Sequence, residues 1–198
     1  MTRAFYEEVT GIYRLKVPFE NIYTSVFLIN SDAEYILVDC ATTACDVDEH
    51  IVPALQDMGI DISGIKKIVL THKHGDHAGG LARVLQLSPD VEVIKNVVAL
   101  DDKLSTYAMA GHTHDCIGVL DMRTRTLISG DGLQGAGVGK YRCSLSDKDA
   151  YLDTINRIKN DKRIENILFS HAYEPWNFDV AHGRDAVDKC LDDCLKYL

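Results

Sequence analysis

Three histidines and one aspartate lie within six consecutive positions of this chain, from residue 72 to residue 77. They are His72, His74, Asp76 and His77, in the pattern H-x-H-x-D-H. Neutral imidazole nitrogens suit borderline-soft divalent ions, while a carboxylate offsets part of the cation's charge and also tolerates harder metals. A solvated polar loop has little reason to concentrate such side chains. The run therefore predicts a metal site.

The predicted elements around this motif explain how it presents its ligands. The apolar run 65–70 indicates a buried strand, so His72 and His74 lie just beyond a strand end, where alternate side chains point the same way. Asp76 and His77 follow as the chain turns towards a predicted helix at residues 81–87. A loop that offers ligands in two directions favours two adjacent ions.

Further donors follow three apolar runs downstream. His112 comes after residues 107–110, Asp131 after 126–128 and His171 after 167–169. In layered α/β proteins, active sites gather at such strand ends, where distant parts of the chain converge. We expect these three side chains to complete the ligand set.

Hydrophobic periodicity predicts the remaining elements. Strands are expected at residues 11–15, 25–29 and 34–39, and a hairpin is expected from 117–121 and 126–129. Amphipathic helices are expected at 46–58, 148–159 and 184–198. The second half of the sequence thus repeats the first only loosely, as in a sandwich of two similar units.

The motifs THKHGDHAGG, GHTHD, SGD and FSH occur in this order, and with them the chain resembles the metallo-β-lactamase superfamily over nearly its whole length. The resemblance implies an α/β (α+β) fold, a four-layer αββα sandwich, as a single domain across residues 1–198. It also implies two divalent metal ions, with zinc expected and iron or manganese as the alternatives.

The resemblance further implies the role of each ligand. We expect His72, His74 and His112 to hold one ion, Asp76, His77 and His171 to hold the other, and Asp131 to bridge them. Asp39, at the end of the predicted strand 34–39, matches an acidic strand end of the family and is expected to anchor a ligand histidine from behind. A plain turn aspartate is the alternative interpretation for Asp39.

Such a centre predicts hydrolysis. Two cations about 3.5–4 Å apart share a water, lower its pKa towards about 7 and present hydroxide to a polarised carbonyl or phosphoryl group. We therefore expect cleavage of a small ester, lactone or thioester, with Asp76 and Asp131 as catalytic carboxylates. The alternatives are a sulfur dioxygenase-type oxidoreductase with one iron, and a phosphodiesterase acting on a small substrate. His74 argues against the diiron oxygen reductases of this fold, which typically carry glutamate there.

Substrate-binding residues are suggested by the segment Gly139-Lys140-Tyr141. It is similar to a glycine-lysine-aromatic segment that the glyoxalase II thioesterases use near their substrate, and an ammonium group can hold a carboxylate. Lys140 and Tyr141 are therefore candidate substrate-binding residues, with a solvated loop lysine as the alternative. Only 27 residues follow His171, so we expect no helical C-terminal domain of the glyoxalase II kind.

Composition and charge limit the classes of partner that we expect this chain to bind. The net charge is −9, with 30 acidic against 21 basic residues, which disfavours nucleic acid and leaves a small-molecule substrate as the expectation. We recognise no secretory signal or membrane segment, so a cytoplasmic location without membrane contact is expected. The six cysteines are expected as reduced thiols, and packing is the preferred interpretation of the helical pair Cys190 and Cys194 over a redox or metal role. The oligomeric state stays open.

Overall fold

The structure, a computed structural model, describes residues 4–31, 34–135, 144–173, 178–196 and 198. The chain divides into two compact units, unit 1 at Met1–Lys95 and unit 2 at Asn96–Leu198. The prediction of a single domain across residues 1–198 stays a prediction.

Unit 1 contains a mixed sheet of six strands, with the order β1-β2-β3-β4-β5-β6. The strands are β1 (Tyr6–Val9), β2 (Ile12–Phe19), β3 (Ile22–Asn30), β4 (Tyr35–Val38), β5 (Lys67–Val69) and β6 (Glu92–Ile94). Neighbours from β1 to β4 pair antiparallel, whereas β4, β5 and β6 pair in parallel. The carboxyl ends of β4 and β5 therefore lie side by side, and the H-x-H-x-D-H motif follows β5.

Helices cover one face of this sheet. They are α1 (Ala44–Asp46), a π-helical segment (Val47–Ile51), α2 (Val52–Asp57), a 3-10 turn (Ile62–Gly64), α3 (Gly75–Ala78) and α4 (Leu81–Leu87). The predicted helix at 46–58 is confirmed as a helical run from α1 to α2, interrupted by the π segment. Ile51, Leu55 and Val84 from these helices pack with Leu28 and Ile68 of the strands in one buried core.

Unit 2 contains a mixed sheet of five strands, with the order β11-β10-β9-β8-β7. Its elements are β7 (Leu104–Ala108), β8 (Ile117–Asp121), β9 (Thr126–Ile128), a 3-10 turn (Gly130–Gly132), α5 (Lys148–Asn160), β10 (Asn166–Leu168), β11 (Val180–His182) and α6 (Arg184–Leu195). Only β9 and β10 pair in parallel. The core combines strand residues with Tyr151, Ile155 and Leu191 of the two helices.

The predicted hairpin, α5 and α6 are confirmed, although α6 ends at Leu195 rather than at the last residue. The edge strands β1 and β11 were not predicted, because a run of three or four residues carries too little periodicity. Two mixed sheets with helices confirm the α+β class. Among the described residues, no helix has both the length and the apolar character needed to cross a membrane.

Candidate functional site

In unit 1 the metal-binding motif is anchored by Asp39, which follows β4 and is fully buried. Its carboxylate accepts three hydrogen bonds: from the Thr71 backbone N–H at 2.8 Å, from the Thr71 hydroxyl at 2.8 Å and from Nδ1 of His77 at 2.7 Å. Asp39 has φ +63°, in the left-handed region that costs free energy for a residue with a Cβ. The network thus compensates a strained backbone and fixes the orientation of His77, while the role of His77 as a metal ligand stays a prediction.

These partners assign the tautomers of two histidines. A carboxylate only accepts, so the Nδ1 of His77 carries a proton, and in the neutral imidazole its Nε2, which lies 3.4 Å from an Asp76 oxygen, offers a lone pair. The Thr71 hydroxyl donates to Asp39, so its oxygen accepts from Nδ1 of His72 at 3.1 Å. The Nε2 of His72 therefore also offers a lone pair.

His72 and His74 fit a shared ion. The Nε2 of His72 lies 3.0 Å from Nδ1 of His74, a distance at which two lone pairs repel unless a proton or a cation lies between them. Two nitrogen ligands of a tetrahedral ion, each bonded at about 2.0–2.1 Å, are separated by about 3.3 Å. The observed separation of 3.0 Å is about 0.3 Å shorter than this, so a small opening of the pair would admit an ion. Burial, followed by the neighbouring Asp39 charge, raises the pKa of the Cys40 thiol, so this cysteine stays neutral.

Two glycines hold the motif against the loop that contains Asp39. A Cβ on Gly79 would lie 1.9 Å from the carbonyl oxygen of Thr42, and one on Gly80 would lie 2.1 Å from that of Cys40. The backbone N–H of Cys40 donates to the carbonyl oxygen of His77 at 2.7 Å. Only residues without a side chain allow this approach, which explains the Gly-Gly pair directly after the motif.

Unit 2 supplies three buried donors from three separate loops. His112 lies between β7 and β8, Asp131 in the 3-10 turn after β9, and His171 just after β10. The residue before His112 is Gly111, with φ +140°, and a Cβ there would lie 2.5 Å from the Cβ of Tyr151. Glycine therefore lets the His112 loop pack directly against α5.

The Asp131 carboxylate faces a different histidine with each oxygen. Its Oδ2 lies 3.8 Å from Nε2 of His112, and its Oδ1 lies 3.2 Å from Nε2 of His171. The Nδ1 of His112 lies 2.6 Å from the carbonyl oxygen of Ser144, which can only accept, so Nδ1 carries the proton and Nε2 offers its lone pair. A carboxylate whose two oxygens serve two imidazoles in this way is suited to bridge two ions.

Four of the seven predicted ligands lie in unit 1 and three lie in unit 2. We call His72, His74, Asp76 and His77 the unit 1 donor group, and His112, Asp131 and His171 the unit 2 donor group. The predicted Lys140 and Tyr141 lie outside the described residues.

Two contributors to the site are not among the residues predicted above. They are Thr71, whose backbone and hydroxyl both bind Asp39, and the Ser144 carbonyl that fixes His112. Thr71 directly precedes the motif, which is the only signal that could have found it, and a backbone carbonyl leaves no sequence signal.

Comparison with known proteins gives a consistent result. The family model of the metallo-beta-lactamase superfamily matches residues 21–100. A hydroxyacylglutathione hydrolase from Francisella philomiragia is 26% identical over 134 residues, covering 59% of this chain and 53% of its own length. An atrochrysone carboxyl ACP thioesterase from Passalora fulva is 23% identical over 158 residues, covering 70% of this chain and 45% of its own length.

The chain spans about half the length of the curated relatives that it matches. Among solved structures, a metallo-beta-lactamase from Erythrobacter litoralis has a TM-score of 0.72 at 19% identity, covering 97% of this chain and 96% of its own. At that identity the likeness concerns the fold alone, and it agrees with the predicted sandwich class.

Proposed function

Because this chain is a member of the metallo-β-lactamase superfamily, we propose that it is a metal-dependent hydrolase that cleaves a small ester, lactone or thioester at a dinuclear metal centre. The observation that carries the proposal is the Asp131 carboxylate, whose two oxygens face His112 and His171 separately. A ligand for one ion would need only one of these contacts.

The proposed ligand sets combine both donor groups in the family's motif order. One ion would bind His72, His74 and His112, the other would bind Asp76, His77 and His171, and Asp131 would bridge them. The tautomers support this assignment, because the Nδ1 of His72, His77 and His112 each contacts a group outside the ligand set, so each neutral ring would bind an ion through Nε2. Neutral imidazoles and carboxylates suit zinc, with manganese and iron as alternatives.

When bound, two divalent ions would supply a nucleophile from water at neutral pH and polarise the scissile carbonyl. The residues of this chain would prepare that chemistry. Asp76 and Asp131 would orient the attacking water by accepting its hydrogen bonds, as catalytic carboxylates. Asp39 would act as a positioning residue, since its carboxylate binds Thr71 and His77 among the described residues of the site.

Thioesters come first among the candidate substrates, because one relative is a thioesterase and another a hydroxyacylglutathione hydrolase. The ring of Tyr173 lies 5.7 Å from that of His171, and its hydroxyl accepts a bond from the Gln134 amide at 3.5 Å. Such an oriented aromatic ring is suited to pack against an acyl or thiol group. Lys140 and Tyr141 remain proposed substrate contacts. We propose a small-molecule substrate and neither nucleic acid nor membrane as partner.

The test is elemental analysis of protein purified without added metal, followed by assays with thioesters, lactones, esters and small phosphodiesters. We expect about two zinc or manganese ions per chain, a lower content and loss of turnover in Asp131→Ala, and no change in the control Asp149→Ala, which alters an exposed carboxylate on α5. One iron per chain would favour the sulfur dioxygenase alternative. Absence of metal from both proteins, even after reconstitution, would overturn the dinuclear centre.

A further inference from the structure

The helix α6 places two cysteines four residues apart on its buried face. Cys190 and Cys194 are almost fully buried, in the core of unit 2. Both thiols point at one acceptor: Sγ of Cys190 lies 3.8 Å from the carbonyl oxygen of Gln134, and Sγ of Cys194 lies 3.7 Å from the same oxygen. Two sulfurs and one oxygen thus converge on a single point, and none of the three belongs to either donor group.

A disulfide is a poor fit to this pair. In an α-helix, side chains four residues apart have Cβ atoms about 5–6 Å apart. A disulfide needs Cβ atoms about 3.5–4.5 Å apart, so closing it would distort α6. The helix therefore favours the reduced dithiol. A link between the two sulfurs needs a third atom that lies between them and bonds to both.

A metal ion meets that requirement. In a tetrahedral site with metal–sulfur bonds of about 2.3 Å and a metal–oxygen bond of about 2.1 Å, each sulfur lies about 3.6 Å from the oxygen. The two sulfur–oxygen distances here, 3.8 and 3.7 Å, are close to that value. We propose that Cys190, Cys194 and the Gln134 carbonyl form a binding site for a thiophilic divalent ion such as Zn²⁺, separate from the proposed catalytic centre.

The fourth position of this site falls to the hydroxyl of Tyr151 or to a water molecule. Tyr151, on α5, is fully buried and lies close enough to Cys194 to lower the pKa of its thiol. The hydrogen bond between the two thiols is the main cause that lowers the pKa of Cys194, and together with burial it raises the pKa of Cys190. Binding a divalent ion replaces both thiol protons, forms two metal–sulfur bonds and releases two protons to solvent.

Cadmium is the probe for this site, because thiolate ligands give Cd²⁺ an ultraviolet charge-transfer band that imidazole and carboxylate ligands do not. Titration of the whole protein with Cd²⁺ should produce this band. The band should saturate when one Cd²⁺ per chain has bound in addition to any ions held by the two donor groups. Loss of a residue that hydrogen-bonds to a metal ligand lowers the affinity of the site about 10–100-fold. Cys190→Ser and Cys194→Ser each remove a ligand itself, so the Cd²⁺ affinity measured from the band should fall by more than about 100-fold.

Two control variants match the test. Cys116→Ser removes another buried cysteine of unit 2, and Cys45→Ser removes an exposed cysteine, so both should keep the band. A band that survives in the Cys190→Ser/Cys194→Ser double variant, or no band in the wild type, would overturn the proposal.

Should the double variant fail to fold, ¹¹³Cd NMR of the wild type gives an independent answer. A resonance in the thiolate region, distinct from those of nitrogen and oxygen sites, is expected, and its absence would refute the site. The catalytic centre proposed above contains no sulfur ligand, so its failure would leave this resonance unchanged.

Discussion

The two donor groups are built in different ways. The unit 1 donor group comes from one short segment after β5, and the buried Asp39 orients His77 directly and His72 through the Thr71 hydroxyl. The unit 2 donor group comes from three loops far apart in sequence, and its one identified orienting contact for His112 is a backbone carbonyl. A single substitution at Asp39 should therefore disturb the orientation of the unit 1 donors, whereas the orientation of the unit 2 donors depends on the strands and on α5.

The sharpest way to break this comparison is to remove one histidine from each unit. His77→Ala would leave the buried Asp39 carboxylate without one of its three donors, at a cost of about 3 kcal/mol or more in the free energy of unfolding. His171→Ala should cost about 1–2 kcal/mol, an ordinary value for a single substitution. Urea unfolding in the presence of a chelator measures both.

A conservative variant separates the two roles of His77. The side-chain N–H of asparagine reaches the position of Nδ1, so His77→Asn should recover most of the stability lost in His77→Ala but not the metal ion, which elemental analysis counts. Equal stability of His77→Ala and His171→Ala would contradict the special role assigned to Asp39.

The second test concerns the glycine contact behind the unit 1 motif. Gly79→Ala places a Cβ 1.9 Å from the Thr42 carbonyl oxygen, a backbone atom that cannot move alone. We expect a loss of about 3 kcal/mol, at the upper end of ordinary overpacking. The matched control is Gly64→Ala, where a Cβ meets nothing within 4 Å and the change should stay within about 0.5 kcal/mol. Urea unfolding of both variants decides, and a tolerated Gly79→Ala would refute the close approach.

The third test weakens the contact between Asp39 and His77 without removing the Asp39 side chain. Asp39→Asn keeps the size of the side chain but loses the charge that holds the His77 tautomer, so metal affinity should fall about 10–100-fold. Thr71→Val removes one donor to Asp39 and should have a smaller effect in the same direction. Competition with a chromogenic chelator measures both affinities. Unchanged affinity in Asp39→Asn would mean that the loop holds His77 by itself.

The smallest expected effect is a difference in the stability of the two units at acidic pH. Four of the described carboxyl groups have a pKa below the ordinary value. Asp61 lies in unit 1, whereas Asp161, Asp188 and Asp193 lie in unit 2. The hydrogen bond from Arg163 is the main cause at Asp161. A carboxyl group with a lowered folded pKa stabilises the fold above its unfolded pKa, and this contribution is lost as pH falls below about 4, through the folded value.

We therefore expect unit 2 to lose more stability than unit 1 as the pH falls below about 4. The effect should be small, because Arg163 is largely exposed and solvent screens its charge. Hydrogen exchange of α5 and α2 amides, corrected for intrinsic rates, measures the two units separately. Asp161→Asn should reduce the acid sensitivity of α5, and no difference between the helices would contradict this expectation.

The same contrast explains how far the sequence could be interpreted. The unit 1 donor group is contiguous, so its residue types and spacing identify it directly. His112, Asp131 and His171 could be found only as polar residues at the ends of apolar runs, and their roles needed the family resemblance. The positive φ of Asp39 and the convergence of Cys190 and Cys194 on Gln134 depend on tertiary contacts that no local pattern records.

Element boundaries show a similar limit. The long amphipathic runs of α5 and α6 and the hairpin of β8 and β9 could be predicted because each repeats its period several times. The π-helical turn at Val47–Ile51 could not, since one extra residue in a helical turn leaves the hydrophobic pattern almost intact.

Asp39 also bears on metal exchange. Because the tautomer and rotamer of His77 are fixed by protein contacts, capture of an ion would cost little additional side-chain entropy at this residue. Zinc fingers, by contrast, fold only when the ion arrives. A preorganised histidine would allow a bound ion to leave and another to replace it without refolding, so the metal present at any time would follow the supply in the surrounding solution.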